Sequence, residues 1–148
     1  LLARLDRSGV DVVLALFPAH DPKAMDMIDI DENLRIRSIH LKPKTTRLRY
    51  AWLCAAWTPV FTEFLHQFLS GVKGGQGAGV IGNRKIDPQG DIPVGLVLKK
   101  AVQAKLTVEG VMFPSGSYID VGLPQHLVKA VKDHSRLWRG VERVEVKR

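Results

Sequence analysis

Apolar positions in this chain come in two kinds of pattern, and they alternate. Asp11–Phe17 (Asp-Val-Val-Leu-Ala-Leu-Phe) is almost continuously apolar, as in a strand buried on both faces, and Pro18 ends it. Leu1–Arg7 before it has apolar residues at 1, 2 and 5, and Ser8-Gly9 is a stop, so it reads as the end of a helix. Asp21-Pro22 starts a turn. Met25–Asp31 and Leu34–Leu41 then alternate apolar and polar residues about an Asp31-Glu32-Asn33 turn, which predicts an antiparallel hairpin with a one-residue slip between Ile36 and Ile39.

A second buried strand is predicted over Tyr50–Trp57. Thr58-Pro59 offers an N-cap and a first helical residue, and Val60, Phe61, Phe64, Leu65, Phe68 and Leu69 form one helical face that Gly71 ends. His66 lies off that face and is expected at the surface. The glycine-rich 72–90 stretch is read as a flexible loop, because its spacing fits neither G-x-G-x-x-G nor the Walker pattern. A helix follows over Asp91–Ala104, then a strand within Lys105–Pro114, then a turn at Ser115-Gly116. A helix over Pro124–His134 and a short alternating strand in the 136–148 tail complete the pattern. Helix, strand, hairpin, strand, helix, helix, strand, helix, strand describes one α/β domain over 1–148, with no internal repeat.

The composition of the 148 residues, 45% hydrophobic and 25% charged, fits a single compact domain. No apolar run is long enough to span a bilayer. The chain starts at Leu1 without a Met or a leader-like segment, and it reads as a fragment. Cys54 is the lone cysteine, so no internal disulfide is possible; it is expected to be a small core residue, and the chain to be cytoplasmic. The net charge of +7, concentrated in Lys42–Arg49 and Arg136–Arg148, attracts anions in general: nucleotides, sugar phosphates, nucleic acid or anionic lipid.

Few residues suggest chemistry by spacing alone. Asp29 and Asp31 share a strand face and could hold a divalent cation, but beside a turn the structural reading is preferred. Lys42 precedes Pro43, which favours an extended Lys42, and with Arg47 and Arg49 it makes a loop suited to phosphate. His126 and His134 stand too far apart in sequence for a usual zinc pair. The segment Ser117–Gln125 carries one carboxylate, Asp120, to the start of a helix, either as a cap or as a cation ligand.

Tyr118-Ile119-Asp120-Val121-Gly122-Leu123-Pro124 resembles the second metal motif of the sugar-1-phosphate nucleotidylyltransferases, of the glucose-1-phosphate thymidylyltransferase kind. Three further segments resemble family elements in the same order: 21–31 the strand entering the sugar site, Leu41-Lys42-Pro43 the Glu-Lys-Pro motif, and 50–57 the strand after it. The likeness covers about Asp11 to Ala130. It implies an incomplete nucleotide-diphospho-sugar transferase-like (Rossmann-like) mixed sheet with flanking helices and an antiparallel hairpin, forming the C-terminal portion of the fold. It further implies Lys42 and Asp120 as catalytic residues, Lys42, Asp26 and Gly122 as substrate contacts, and Asp120 as a Mg²⁺ ligand. The implied partners are a nucleoside triphosphate and a sugar 1-phosphate, with no membrane and with nucleic acid disfavoured; a homo-oligomer is compatible. The family's glycine-rich nucleotide loop and first metal aspartate belong upstream of Leu1, so this chain alone is expected to be inactive. Leu41 stands for the family's Glu, Asp26 for a Gly, and Leu53-Cys54 for a small polar residue and a Gly. Those departures keep a second reading open, a degenerate non-catalytic relative that binds a ligand or partner. Nucleic-acid binding by the basic tail has charge alone behind it.

Overall fold

The computed structural model describes residues 1–7, 9–73, 80–81, 84–85, 91–116, 118, 127–128 and 130–131. The chain forms two compact units, Leu1–Gly116 and Ser117–Arg148. In the first, the element order is α1 (Leu2–Leu5), β1 (Val12–Pro18), β2 (Met27–Ile30), β3 (Ile36–His40), β4 (Tyr50–Trp57), α2 (Pro59–Lys73), β5 (Val80–Ile81), β6 (Arg84–Lys85), α3 (Val94–Gln103) and β7 (Val108–Met112). Five strands make an open mixed sheet in the order β3-β2-β4-β1-β7, and β5 pairs with β6 in a separate ribbon. β1 runs antiparallel to β4 and parallel to β7, which gives a Rossmann-like α/β layer flanked by helices, as the resemblance implies.

The continuous apolar run becomes the heart of this sheet. Val12–Leu16 are all at most 1% exposed, so both faces of β1 are covered. Val12, Leu14 and Leu16 share a core with Phe61 of α2, Val97, Leu98 and Ala101 of α3, and Ile28, Ile36 and Ile39 of the hairpin. Phe61, Phe64 and Phe68 stack in sequence along α2, with centroids 6.2 and 6.4 Å apart. Val60, read from the sequence as part of that face, is instead 55% exposed, because it precedes Phe61 and points away from the core stripe. Thr58 holds the N-cap position, its carbonyl accepting from the Phe61 amide at 3.1 Å. Its hydroxyl donates to the Asp11 carbonyl at 3.3 Å, which ties the start of α2 to the start of β1.

The one-residue slip in the hairpin is real. Asp29 pairs with Ser38 but Ile30 pairs with Ile36, so Arg37 is the extra residue of a bulge. Asp31 fixes the turn by accepting the amides of Asn33 and Arg35, each at 2.9 Å, and Arg37 lies 3.9 Å from its other oxygen. β2 meets β4 only through Met27–Ala51 and Ile28–Tyr50. Beyond these pairs the hairpin reaches the opposite edge of the sheet: Arg35 bridges to Glu109, and the Gly110 amide donates to the Leu34 carbonyl at 2.7 Å. Gly110 permits this crossing, since a Cβ there would come within 2.6 Å of Leu16 Cδ1 and 2.7 Å of Ile30 Cδ1.

Three sequence expectations change. β4 has the predicted bounds, but Cys54 is exposed rather than in the core. The cause is the short β2–β4 pairing together with a bulge opposite Ala15/Leu16, which leaves the middle of β4 less covered than β1. α2 continues two residues past Gly71, which lies inside its last turn. Within 72–90, expected as one flexible loop, α2 extends to Lys73 and β5 and β6 pair as a ribbon; the remaining positions lie outside the described residues.

Glu109, buried at 8% exposure, pairs with Arg4 of α1 at 2.6 Å. The ion pair fastens the N-terminal helix to β7. In the second unit, residues 127, 128, 130 and 131 are helical, as expected for 124–134, and Leu127, Val128 and Val131 are exposed. Among the described residues no helix is long and apolar enough to cross a membrane.

Candidate functional site

Two loops emerge where β1 ends and β4 begins. One spans 19–26 and leads into β2; the other spans 41–49 and connects β3 to β4. The Ala19 amide donates to the Arg49 carbonyl at 2.9 Å and ties them together. The hairpin and α3 then fix the inner ends of these loops. Asp26, just before β2, and Leu41, just after β3, both converge on Gly95 in the first turn of α3. A Cβ at 95 would overlap Asp26 Oδ2, would lie 3.0 Å from its Cγ, and would touch Leu41 Cδ2 at 3.4 Å. A carboxylate beside the first turn of a helix is favoured by the helix dipole. Pro93 precedes α3 without a side-chain cap, and no acidic residue lies in the helix's own first turn, so Asp26 brings negative charge there from another element.

Lys42 follows Leu41 directly. It is not extended: its φ is +41°, in the region L side chains rarely adopt. The chain must reverse at the end of β3 while Leu41 stays packed against α3, and this local demand outweighs the preference that Pro43 imposes. The Lys42 side chain is exposed, as are those of Lys44, Arg47 and Arg49. Strained backbone of this kind persists where the surrounding structure holds it, and it recurs at binding sites.

Of the residues singled out from sequence, the structure brings Asp26 and the Leu41-Lys42 step together at α3. Asp120 and Gly122 lie outside the described residues; Tyr118, two residues before Asp120, is half-buried. Asp29 and Asp31 serve the hairpin, Asp31 through its turn. Among the described residues no group of three His, Cys, Asp or Glu side chains could hold a metal ion. Sequence reasoning missed Gly95. A glycine inside a helical stretch costs about 1 kcal/mol relative to alanine and was the available signal. It also missed a hollow of about 480 Å³ between the two loops, lined by Asp21, Pro22, Lys23, Lys44, Thr45 and Thr46.

The described fold is an open, mixed, Rossmann-like β-sheet flanked by helices. Solved structures with this fold include the inositol-1-phosphate CTP transferase from T. maritima, matched over 93% of this chain with a TM-score of 0.61 and 17% identity. They also include a protein described as a glucose-1-phosphate thymidylyltransferase from Bacillus anthracis, in complex with a sucrose, matched over 97% of this chain with a TM-score of 0.59 and 16% identity. The chain spans about half the length of each, 50% and 48%. No protein-family model matches the sequence, and no curated protein matches it.

Proposed function

We propose that this chain is the sugar-phosphate side of a nucleotidylyltransferase. In the complete protein, an oxygen of a sugar 1-phosphate attacks the α-phosphorus of a nucleoside triphosphate, and pyrophosphate leaves. The observation that carries this reading is the fold match along nearly the whole chain, together with the convergence of Asp26 and Leu41-Lys42 on one helix start. By description, one fold neighbour is an inositol-1-phosphate CTP transferase and the other a glucose-1-phosphate thymidylyltransferase.

In this reading Lys42 offers a compact ammonium to the sugar phosphate, and Asp26 with Gly122 borders the sugar. Asp120 is a hard oxygen ligand for Mg²⁺. The metal, when bound, offsets charge on the phosphoryl oxygens. The protein's own task is to hold the two reactants in line and meet their charge with fixed cations, since phosphoryl chemistry needs little covalent help.

A second reading is a non-catalytic relative that binds a ligand or partner. Leu41 and Asp26 favour it, because both fill space over Gly95 where the resemblance expects a polar contact and a bare backbone. An unpaired sugar hydroxyl against Leu41 would weaken binding. Asp120→Asn in the complete protein separates the two readings. The transferase reading expects pyrophosphate release to fall by at least about a hundredfold, the scale of a lost transition-state electrostatic contact, with an unchanged melting temperature. Equal loss of stability and turnover would make Asp120 a helix cap, and absence of turnover in the parent protein would leave the binder.

A further inference from the structure

We infer that the hollow between residues 21–23 and 44–46 is an anion site of its own, suited to the phosphoryl group of a small phosphate ester. Its walls come from two different loops, so it is a built feature of the tertiary fold rather than one charged segment. The loops are joined at their base by the Ala19–Arg49 hydrogen bond. Each wall is also fixed locally. Asp21 closes its turn by accepting the Lys23 amide at 3.2 Å through Oδ1 and the Ala24 amide at 3.0 Å through its carbonyl. Thr46 Oγ1 accepts the Leu48 amide at 3.0 Å.

The donor set is that of a phosphate site. Lys23 and Lys44 line the hollow from opposite walls and can each turn an ammonium toward it; both are exposed, and neither has an ion-pair partner among the described residues. Because Thr46 Oγ1 already accepts the Leu48 amide, its hydroxyl proton is left to donate outward, and Thr45 adds a second hydroxyl. Two ammonium groups and two hydroxyl donors match the several acceptor oxygens of a phosphoryl group. Asp21 has one oxygen engaged with its own turn. Its other oxygen can accept from a P–OH or from a hydroxyl of the esterified group, which favours a phosphate ester over a simple halide. The volume, about 480 Å³, exceeds what one phosphate fills and leaves room for the group it is attached to.

Lys42 does not line this hollow, and the inference does not depend on the transferase reading. It is tested by titrating the protein with inorganic phosphate, and separately with pyrophosphate, at low ionic strength while following backbone amide shifts. Saturable shifts confined to residues 21–24 and 44–48 are expected. They should weaken with added salt, fall at least tenfold in affinity in K23A/K44A, and stay within twofold of the parent in K42A. K23Q/K44Q, with its melting curve as control, gives the same answer should the alanine pair fail to fold. Non-saturating shifts, shifts spread over every basic residue, or a loss reproduced by K42A alone would overturn the assignment. Failure of the Asp120→Asn experiment would leave it standing.

Discussion

The carboxylate of Asp26 rests on the backbone of Gly95, at a spot where any side chain on residue 95 would overlap its oxygen. The contact joins the entry of β2 to the first turn of α3, and Leu41 packs against the same point. The position of Lys42 is therefore set by a three-way junction between hairpin and helix, with the lysine itself left free to meet a ligand.

Gly95→Ala should be costly although alanine is the better helix former. The added methyl must displace Asp26, and overpacking of this kind costs roughly 1–3 kcal/mol against a helix gain of about 1. Asp26→Ala combined with Gly95→Ala should recover most of the loss. Urea unfolding of the two single variants and the double variant checks this; additive losses would mean that the two residues do not interact.

Lys42→Gly tests the strained backbone and the proposed phosphate contact at once. Glycine accepts a φ of +41° without strain, so stability should hold or rise by at most about 1 kcal/mol. In the complete protein, affinity for a sugar 1-phosphate should nevertheless fall about tenfold or more, as measured by calorimetry. Unchanged affinity would remove Lys42 from the site.

Arg4→Ala should destabilise the protein by about 3 kcal/mol, because Glu109 would remain buried without its counter-ion. Replacing both residues by leucine should cost clearly less than Arg4→Ala alone. A thermal-melt double-mutant cycle gives the coupling. A coupling near zero would show that the pair is ornamental and that α1 is held by other contacts.

Cys54 should react with a thiol reagent in the folded protein at a rate within a few-fold of that in urea, since its side chain is exposed. Protection by orders of magnitude would restore the core assignment suggested by its place in an apolar run.

Much of the fold was legible because it depends on local pattern. The unbroken Val12–Leu16 run marked the most buried strand, and the Ile36–Ile39 slip marked the bulge at Arg37. Tyr50–Trp57 was found to the residue, yet the exposure of Cys54 was not, because it depends on how far β2 follows β4. The same holds for the site. Lys42 could be picked from its neighbours, whereas the reversal of its backbone follows from Leu41 packing on α3, far away in sequence. The walls of the hollow draw on segments that adjoin only after folding, so spacing along the chain carried no sign of them, and for Gly95 the local sign was a glycine within a helical stretch.

The parallel match of Val12 with Val108 has a bearing on how the protein is made. The most deeply covered strand is synthesised well before its partner on that side, since Val108 follows Val12 by 96 residues. Closing so distant a pairing is slow, and until it closes an apolar ribbon keeps one flank open to other chains. Nascent protein should therefore rely on holding factors over that interval, and yields of refolded material should fall steeply with concentration.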